Sequence, residues 1–203
     1  MNYQTVSIQE LEQIYGTPSR ASLVKVAKEL TPNYRAWIFA SKFCVLSTVG
    51  PDGTDGSPRG DEGPVVQELD ASTLLMPDWR GNNRMDSLKN IIQDGRLSLL
   101  FLVPGSNSAV RVNGTGIVST DPDLISRFSD RSKTPRSVIV IAIKEIYFQC
   151  ARALMRSDLW TTDHSPANEL PGAGQILEEM SAGDEGGDEY DRAWPERAKK
   201  TLW

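Results

Sequence analysis

The chain has 203 residues, of which 39% are hydrophobic and 24% are charged, a composition typical of a globular protein with one main domain. Its formal net charge of −5 has the wrong sign for a protein that binds nucleic acid through its overall charge, so any anion site must be a local basic cluster. One histidine, His164, and two cysteines, Cys44 and Cys150, exclude a disulfide framework and leave few ways to build a catalytic triad or a zinc site.

Two helices are predicted before the first strand. Ser7 and Glu10 have the spacing of a capping box, and the apolar residues after them fall on one helical face. A second helical pattern runs through residues 23–30, and Pro32 after Thr31 is expected to end it.

Short apolar runs separated by turn residues predict six strands. They lie at residues 43–49, 65–69, 73–76, 97–103, 109–119 and 137–147. So many strands joined by such short turns favour an antiparallel barrel or sandwich over an alternating α/β fold. The last run is apolar at nearly every position, which predicts a strand buried on both faces. Asn113-Gly114 leaves a hairpin turn open as an alternative to a continuous strand.

A helix interrupts the strands in the segment MPDWRGNNRMDSLKN, residues 76–90. Its apolar stripe begins at Met85, and Asn82 or Asn83 is expected to be the N-cap. Free amides at a helix start favour an anion, and Arg80 and Arg84 place guanidinium groups beside them. The segment therefore predicts a phosphate site, with a capped helix and solvated arginines as the alternative.

Other arginines could line the same site. Arg59 in SPRGD could reach the anion, or it could form an Arg–Asp pair in a surface turn. Arg111 lies in a β pattern and faces either solvent or a site. Arg152 and Arg156 share a face if their segment is helical, and ordinary surface charges are the alternative.

The remaining chemical groups suggest no catalytic set. Cys44 and Cys150 are most simply small buried residues, and His164 falls in a predicted loop. Trp79 and Trp160 either cover a planar ring or pack in the core. Neither a Rossmann nor a P-loop fingerprint is present, and no acid, base or nucleophile set stands out, which favours chemistry supplied by a bound cofactor. The chain has no membrane-spanning apolar run and no export signal at its start, so a cytoplasmic location is expected.

Several motifs occur in an order that resembles a known family. FCVLSTVGPDGTDGSPRGD, STLLMPDWRGNNRMDSLKNI, LSLLFLVPG, VRVNGTGIVS and CARALMRSDLW are similar to motifs of the pyridoxamine 5′-phosphate oxidase-like FMN-binding split-barrel superfamily, above all its branch with SPRGD and RSxLW. The resemblance implies a mainly β (α+β) fold: a six-stranded antiparallel split β-barrel with flanking helices, in a homodimer that holds FMN between subunits. It divides the chain into an N-terminal helical segment at 1–35, the FMN-binding barrel at 36–160 and a C-terminal extension at 161–203 packing on the barrel.

The resemblance also implies roles for individual residues. It implies that the strand end at Pro77 and Asp78 runs along the flavin, and that Asn82, Asn83 and Arg84 in the loop before the helix hold the phosphate. It also implies that Arg59, with Ser57 nearby, adds a basic contact from a second strand. Arg111 would reach the flavin from the other subunit, and Arg152 in a late segment would close the site.

The function implied is that of an FMN-dependent oxidoreductase, in which hydride passes at flavin N5 to or from a small substrate, with NAD(P)H as a candidate donor and no metal. A non-catalytic FMN-binding protein for storage, transport or sensing is the alternative, and haem or deazaflavin in the same groove is a third. Pyridoxamine phosphate oxidase activity itself is not expected, because the end WPERAKKTLW lacks the histidine of that enzyme's Arg-x-His segment.

Overall fold

The computed structural model describes residues 3–129, 133–161 and 170–201, and within them seven strands form one antiparallel sheet. The strands are β1 (Phe43–Gly50), β2 (Gly53–Gly60), β3 (Gln67–Asp70), β4 (Thr73–Asp78), β5 (Arg96–Leu102), β6 (Ala109–Ser119) and β7 (Ser137–Gln149). The helices are α1 (Ile8–Tyr15), α2 (Arg20–Val24), α3 (Pro32–Ala40), α4 (Asp86–Gln93), α5 (Pro122–Ser126), α6 (Arg152–Arg156), α7 (Ala173–Met180) and α8 (Gly187–Thr201).

The strand order is β2-β1-β5-β6-β7-β4-β3, and each neighbouring pair is antiparallel. With its flanking helices, this is the mainly β split-barrel fold that the sequence predicts. The longest ladder joins β6 to β7, and its register shifts between Asn113 and Gly114. The hairpin alternative at these two residues is wrong, since both lie inside β6.

One face of the sheet carries the core. Leu99, Phe101 and Ile141 are fully buried on that face, and Ile38 of α3 and Ile91 of α4 belong to the same cluster. These side chains alternate along their strands with more exposed ones, as expected for a sheet packed on one side. α4 packs beside β1, β2 and β6, which fixes where its first turn lies.

The sheet has seven strands rather than the predicted six, and the additional strand is β2. Its sequence, GTDGSPRG, has no apolar residue other than Pro58, so it has no hydrophobic alternation to detect. β2 is held by backbone pairing with β1 along its whole length, and it lies at the edge of the sheet. An edge position tolerates Pro58, because a proline there withholds no hydrogen bond from a neighbouring strand.

Three helices precede β1 where two were predicted. The capping box of Ser7 and Glu10 at α1 is confirmed. Thr31 and Pro32 do not end a helix; Thr31 is the N-cap of α3 and Pro32 its first residue. Proline is favoured at that position, because the first amides of a helix have no partner in it.

β7 is buried on both faces only in its first part. Val138 and Ile139 are buried, whereas Ala142 and Lys144 farther along are exposed. The outward side of this strand's second half is therefore open to solvent.

Helices α7 and α8 contact each other in the C-terminal region, where the Gly174 amide donates to Asp191 Oδ1 at 2.7 Å. The sequence AWPERAKKTLW predicts a short amphipathic closing helix; this helix is confirmed, and it begins earlier, at Gly187. Packing of the extension on the barrel stays a prediction. Among the described residues, no helix is long and apolar enough to cross a membrane.

Candidate functional site

A cleft of about 800 Å³ opens between β2, the end of β4, residues 79–85 and the start of α4. Seven of the predicted site residues line it: Ser57, Arg59, Pro77, Asp78, Asn82, Asn83 and Arg84. These segments therefore lie around one cleft in the described part of the chain, and the binding roles of the residues stay predictions.

The inner wall of the cleft is built around Arg59. This residue lies opposite Cys44 in the β1–β2 ladder, and Cys44 is buried, so the Arg59 side chain points to the inner face of the sheet. Its Nη1 donates to Asp78 Oδ1 at 2.6 Å, and only 19% and 16% of the two side chains are exposed. The Arg–Asp pair within SPRGD, considered as the alternative from the sequence, is not formed.

A second bond joins the same two segments. Trp79 Nε1 donates to Asp61 Oδ2 at 3.1 Å, next to the Arg59–Asp78 salt bridge. Arg59 Nε remains buried without a hydrogen-bond partner. An unsatisfied buried donor is unfavourable by about 1–3 kcal/mol, and this atom has almost no accessible surface.

The loop before α4 differs from the prediction. α4 begins at Asp86, three residues after Asn83, and its N-cap is Met85, which has a left-handed backbone and makes no side-chain cap. Asn82 Oδ1 instead accepts from the Arg84 amide at 3.1 Å, and Asn83 Oδ1 accepts from Arg136 Nη1 at 2.6 Å. The two asparagines therefore shape the loop rather than cap the helix.

The start of α4 is already close to carboxylates. Ser87 Oγ donates to Asp55, and Asp86 lies in the first turn. Both carboxylates interact favourably with the partial positive charge at the N-terminus of α4, which is the charge that a ligand anion would also contact. An anion in this cleft would therefore depend on the arginines more than on the helix.

The arginines differ in how far they are engaged. Arg84 is 80% exposed and its Nε donates to Asp86. Arg80 is exposed and has no hydrogen bond or ion pair with any described residue. The lining also includes Arg136, so four guanidinium groups stand against four aspartates: Arg59, Arg80, Arg84 and Arg136, and Asp55, Asp61, Asp78 and Asp86.

Arg136 is the site residue that the sequence analysis missed. Its amide donates to the Asp78 carbonyl at 2.9 Å, beside the pairing of Asp78 with Ser137. A basic residue just before a strand was the only signal, and it becomes informative once the pairing of β4 with β7 is known.

Two predicted site residues do not line this cleft in the described part of the chain. Arg111 lies on the outward face of β6, where Nη1 is 3.3 Å from the Tyr147 hydroxyl and Cζ is 5.7 Å from the ring centroid. Arg152 is exposed at the start of α6. That α6 is helical confirms that Arg152 and Arg156 share a face. A contact of Arg111 with flavin in the other subunit, and closure of the site by Arg152, stay predictions.

The remaining candidates lie elsewhere. Cys44 is buried as predicted, and burial raises the pKa of its thiol to about 12, against a smaller opposing effect of Arg59. Cys150 is exposed, so the prediction is wrong for that residue. Trp160 donates to the Ser106 carbonyl at 2.7 Å, and His164 lies outside the described residues. No cluster of metal ligands occurs among the residues described.

The cleft fits a flavin nucleotide. Arg80 is exposed and has unused donors, which suit the phosphate of such a ligand. Apolar groups from Val65, Met76 and Pro77 line the same space and suit a flat ring.

One family of known proteins is similar to this chain. A family model described as pyridoxamine 5′-phosphate oxidase matches residues 30–150, more than half of the chain. No curated protein matches the chain.

Solved structures similar to the chain cover 57–60% of it. HupZ from Group A Streptococcus is 17% identical over 58% of this chain and 91% of its own, with a TM-score of 0.48. A candidate pyridoxamine 5′-phosphate oxidase from Lactobacillus delbrueckii is 24% identical over 60% of this chain and 95% of its own, with a TM-score of 0.48. An FMN-binding protein from Syntrophomonas wolfei is 14% identical over 57% of this chain and 80% of its own, with a TM-score of 0.42.

Proposed function

The chain belongs to the pyridoxamine 5′-phosphate oxidase family, and on that premise we propose that its cleft binds FMN and that the protein is an FMN-dependent oxidoreductase. The observation that carries the proposal is a cleft with apolar walls whose mouth holds the exposed guanidinium groups of Arg80, Arg84 and Arg136. Cationic groups beside apolar walls in one concave site favour an anionic ligand that also has a flat ring.

Each part of the cleft has a separate task in this proposal. Arg80, Arg84 and Arg136 bind the phosphate through charge-assisted hydrogen bonds at the exposed mouth. Pro77 and Trp79 lie along the ring, and the Trp79–Asp61 bond keeps the indole in place. The loop asparagines hold the backbone between them.

When bound, FMN supplies hydride transfer at N5, so the protein's contribution is to bind, orient and limit water. No histidine, lysine, cysteine or tyrosine is among the described lining residues. The carboxyl groups among those lining residues are Asp55, Asp61, Asp78 and Asp86, of which Asp78 and Asp86 are paired with arginines. The lack of the other usual proton-transfer side chains in this lining supports a second candidate, an FMN-binding protein for storage, transport or sensing.

Purified protein tests the binding proposal directly. We expect a yellow preparation, or a colourless one that binds added FMN with quenching of flavin fluorescence. Failure to bind FMN would remove the proposed function. Anaerobic addition of NADH or NADPH, followed by candidate acceptors, separates the two candidates, because bound flavin that stays oxidised with every donor supports storage or sensing.

Pyridoxamine 5′-phosphate is not the proposed substrate. The one histidine of the sequence, His164, follows Thr162 and Asp163 and so does not form an Arg-x-His segment. We expect no turnover of pyridoxamine 5′-phosphate by flavin-loaded protein in an oxygen-consumption assay. Turnover at a rate typical of enzymes would contradict this part of the proposal.

We further propose that the protein is a homodimer with a flavin site at the subunit interface. Apolar residues on the outward face of the sheet support it: Val45 and Leu100 are half-buried near Arg111, and Ile117, farther along β6, is 63% exposed. Such a face is a candidate for pairing with a second copy. Light scattering should give twice the chain mass of 22.4 kDa.

Mixed dimers test whether Arg111 acts across the interface. Subunits with Arg84→Ala and subunits with Arg111→Ala should each bind FMN weakly alone. A verified heterodimer should regain one intact site, because one of its two clefts then has both wild-type residues. No recovery would contradict the role of Arg111 in the other subunit.

A further inference from the structure

The outward face of β6 and β7 carries polar side chains that lie apart from the cleft. In the ladder between these strands, Arg111 is opposite Tyr147 and Asn113 is opposite Glu145. Ile146, between the last two positions on β7, is buried, whereas the four polar residues are half-buried and so reach solvent on the other side of the sheet. In the described part of the chain, none of the four lines the cleft.

The hydroxyl of Tyr147 is arranged to donate outward. Arg111 Nη1 donates to it at 3.3 Å, and Asn113 Nδ2 donates to it at 3.4 Å. A hydroxyl group has two acceptor lone pairs and one proton. Because both contacts use the oxygen as an acceptor, the proton is left for an acceptor, and no described residue accepts it.

Arg111 has no counter-charge in the described part of the chain, where it forms no salt bridge. The carboxylate opposite Asn113 is already engaged, since Glu145 accepts from Asn113 at 3.4 Å and lies 3.6 Å from Lys28 Nζ. Tyr147 takes only one of the N–H donors of the guanidinium. The remaining donors of Arg111 are therefore available to an anion.

A second cation reaches the same tyrosine from the segment before α3. Ala27 pairs with Ile146 through two backbone hydrogen bonds of 2.8 and 2.9 Å, which hold this segment against β7. Lys25 Nζ then lies 5.5 Å from the centroid of the Tyr147 ring and donates to the Phe148 carbonyl at 2.8 Å. Three cations, one carboxylate and two neutral donors make up this outer cluster: Lys25, Lys28 and Arg111; Glu145; and Asn113 and Tyr147. It is a basic patch on a chain whose formal net charge is −5.

We propose that the outer cluster is a second anion site, which binds the carboxylate or phosphate group of a small molecule. Arg111 offers a planar fork of donors to such a group, the Tyr147 hydroxyl adds one more donor, and Lys25 adds positive charge. The inference goes beyond the proposed function, because the phosphate of FMN is assigned to the mouth of the cleft and this anion belongs to a second molecule. The substrate of a flavin enzyme would be such a molecule. The proposed contact of Arg111 with flavin in the other subunit is compatible with this role, since the guanidinium has further N–H donors.

Nuclear magnetic resonance of the full chain, with tyrosine labelled with 13C at Cζ, tests the site. Sodium phosphate and sodium acetate are titrated separately, with sodium chloride keeping the ionic strength constant, into protein with and without FMN. The chain has five tyrosines, and the signal of Tyr147 is the one that Tyr147→Phe removes. Tyr190 is the matched control, because Arg197 Cζ lies 4.0 Å from the centroid of its ring in the C-terminal helix α8.

We expect phosphate, acetate or both to shift the Tyr147 signal in a saturable way, with and without FMN, and to leave the Tyr190 signal in place. Arg111→Gln should weaken anion binding about 10-fold or more, because it removes charge-assisted hydrogen bonds. Lys25→Gln should weaken it about 2- to 5-fold, as for an exposed charge pair. Tyr147→Phe should weaken phosphate about 3- to 10-fold, measured by the 31P linewidth of the phosphate. Arg197→Gln should leave the affinity unchanged.

Three results would overturn the inference. One is the absence of a saturable shift at Tyr147, or equal shifts of all tyrosine signals, with both anions. Another is an affinity that Arg111→Gln leaves unchanged. The third is loss of the anion effect when FMN is added, which would assign the outer cluster to the phosphate of FMN itself. A protein that binds phosphate at Tyr147 and binds no FMN would contradict the proposed function and leave this inference intact.

Discussion

Arg59 and Asp78 form a salt bridge between the edge strand β2 and β4, the strand next to the opposite edge. β2 is one edge, and four strands, β1, β5, β6 and β7, separate it from β4 in the pairing order. The 2.6 Å contact from Arg59 Nη1 to Asp78 Oδ1 therefore spans the open side of the split barrel rather than a ladder. The same contact forms the inner end of the candidate site, so barrel closure and site geometry depend on one pair.

Removing one partner of this pair should destabilise the protein. Asp78→Ala leaves the largely buried guanidinium of Arg59 without its counter-charge. We expect the free energy of unfolding to fall by about 2–3 kcal/mol, which is less than the roughly 3–5 kcal/mol seen for fully buried pairs. The double replacement Arg59→Met with Asp78→Leu should lose less than the single one, because no uncompensated charge remains. Urea unfolding measures both.

The exposed pair of Lys199 and Glu196 provides a matched control, since its side chains are 71% and 69% exposed. Glu196→Ala should leave the unfolding midpoint unchanged. Equal effects of Asp78→Ala and Glu196→Ala would contradict a structural role of the cross-sheet salt bridge.

Asp86→Asn should tighten FMN binding. The Asp86 carboxylate accepts from Arg84 and competes with a ligand phosphate for this guanidinium. Exposed pairs of this kind contribute about 0.2–1 kcal/mol. We therefore expect the dissociation constant for FMN to fall roughly 2- to 5-fold and the dissociation constant for riboflavin to stay unchanged. Fluorescence titration measures both.

Asp94→Asn is the corresponding control, because Asp94 pairs with Arg96 outside the cleft lining. It should leave the affinity for FMN unchanged. Equal tightening by both replacements would indicate a general effect of net charge rather than competition at Arg84.

Gly114→Ala should destabilise the β6–β7 ladder. A Cβ at Gly114 would collide with the Ala142 carbonyl, at the point where the register shifts. We expect a loss of about 1–3 kcal/mol in the free energy of unfolding, as for overpacking of a core. Gly56→Ala on β2, where a Cβ meets no heavy atom within 4 Å, should change it by less than about 0.5 kcal/mol. Similar midpoints for both variants would contradict the close approach at Gly114.

Cys44 should make the stability of the fold fall at high pH. Burial raises the pKa of its thiol from 9.0 to about 12, so the folded state favours the neutral thiol. Its contribution is fully present below pH 9.0 and is lost as the pH rises through about 12, since the unfolded chain ionises first. The free energy of unfolding, measured in urea below and above pH 9.0, should decrease less with rising pH for Cys44→Ala than for wild type.

Thiol labelling provides an independent measurement. In the native state Cys150 should react with a thiol reagent and Cys44 should not, because Cys150 is exposed and Cys44 is buried. Both should react in urea. Rapid native labelling of Cys44 would contradict its burial.

Local patterns in the sequence were sufficient for much of the fold. Alternating or continuous apolar runs predicted every strand with a buried face, and the capping box at Ser7 and Glu10 predicted α1. β2 was missed because it has no hydrophobic side to bury, and α3 because the proline at its start reads as a helix end. Periodicity detects elements that bury an apolar face, and it does not detect an edge strand held by backbone pairing alone.

The chemical types at the candidate site were also determined by the sequence. Arginines and asparagines between β4 and α4 predicted an anion site, and the cleft contains Asn82, Asn83 and Arg84. Only the tertiary structure decided which charges meet: Arg59 pairs with Asp78 and not with the adjacent Asp61, and Arg136 joins the site. The reason is that these partners belong to strands distant in the chain, so barrel closure and strand register determine their contacts, and neither quantity is encoded in the spacing of neighbouring residues.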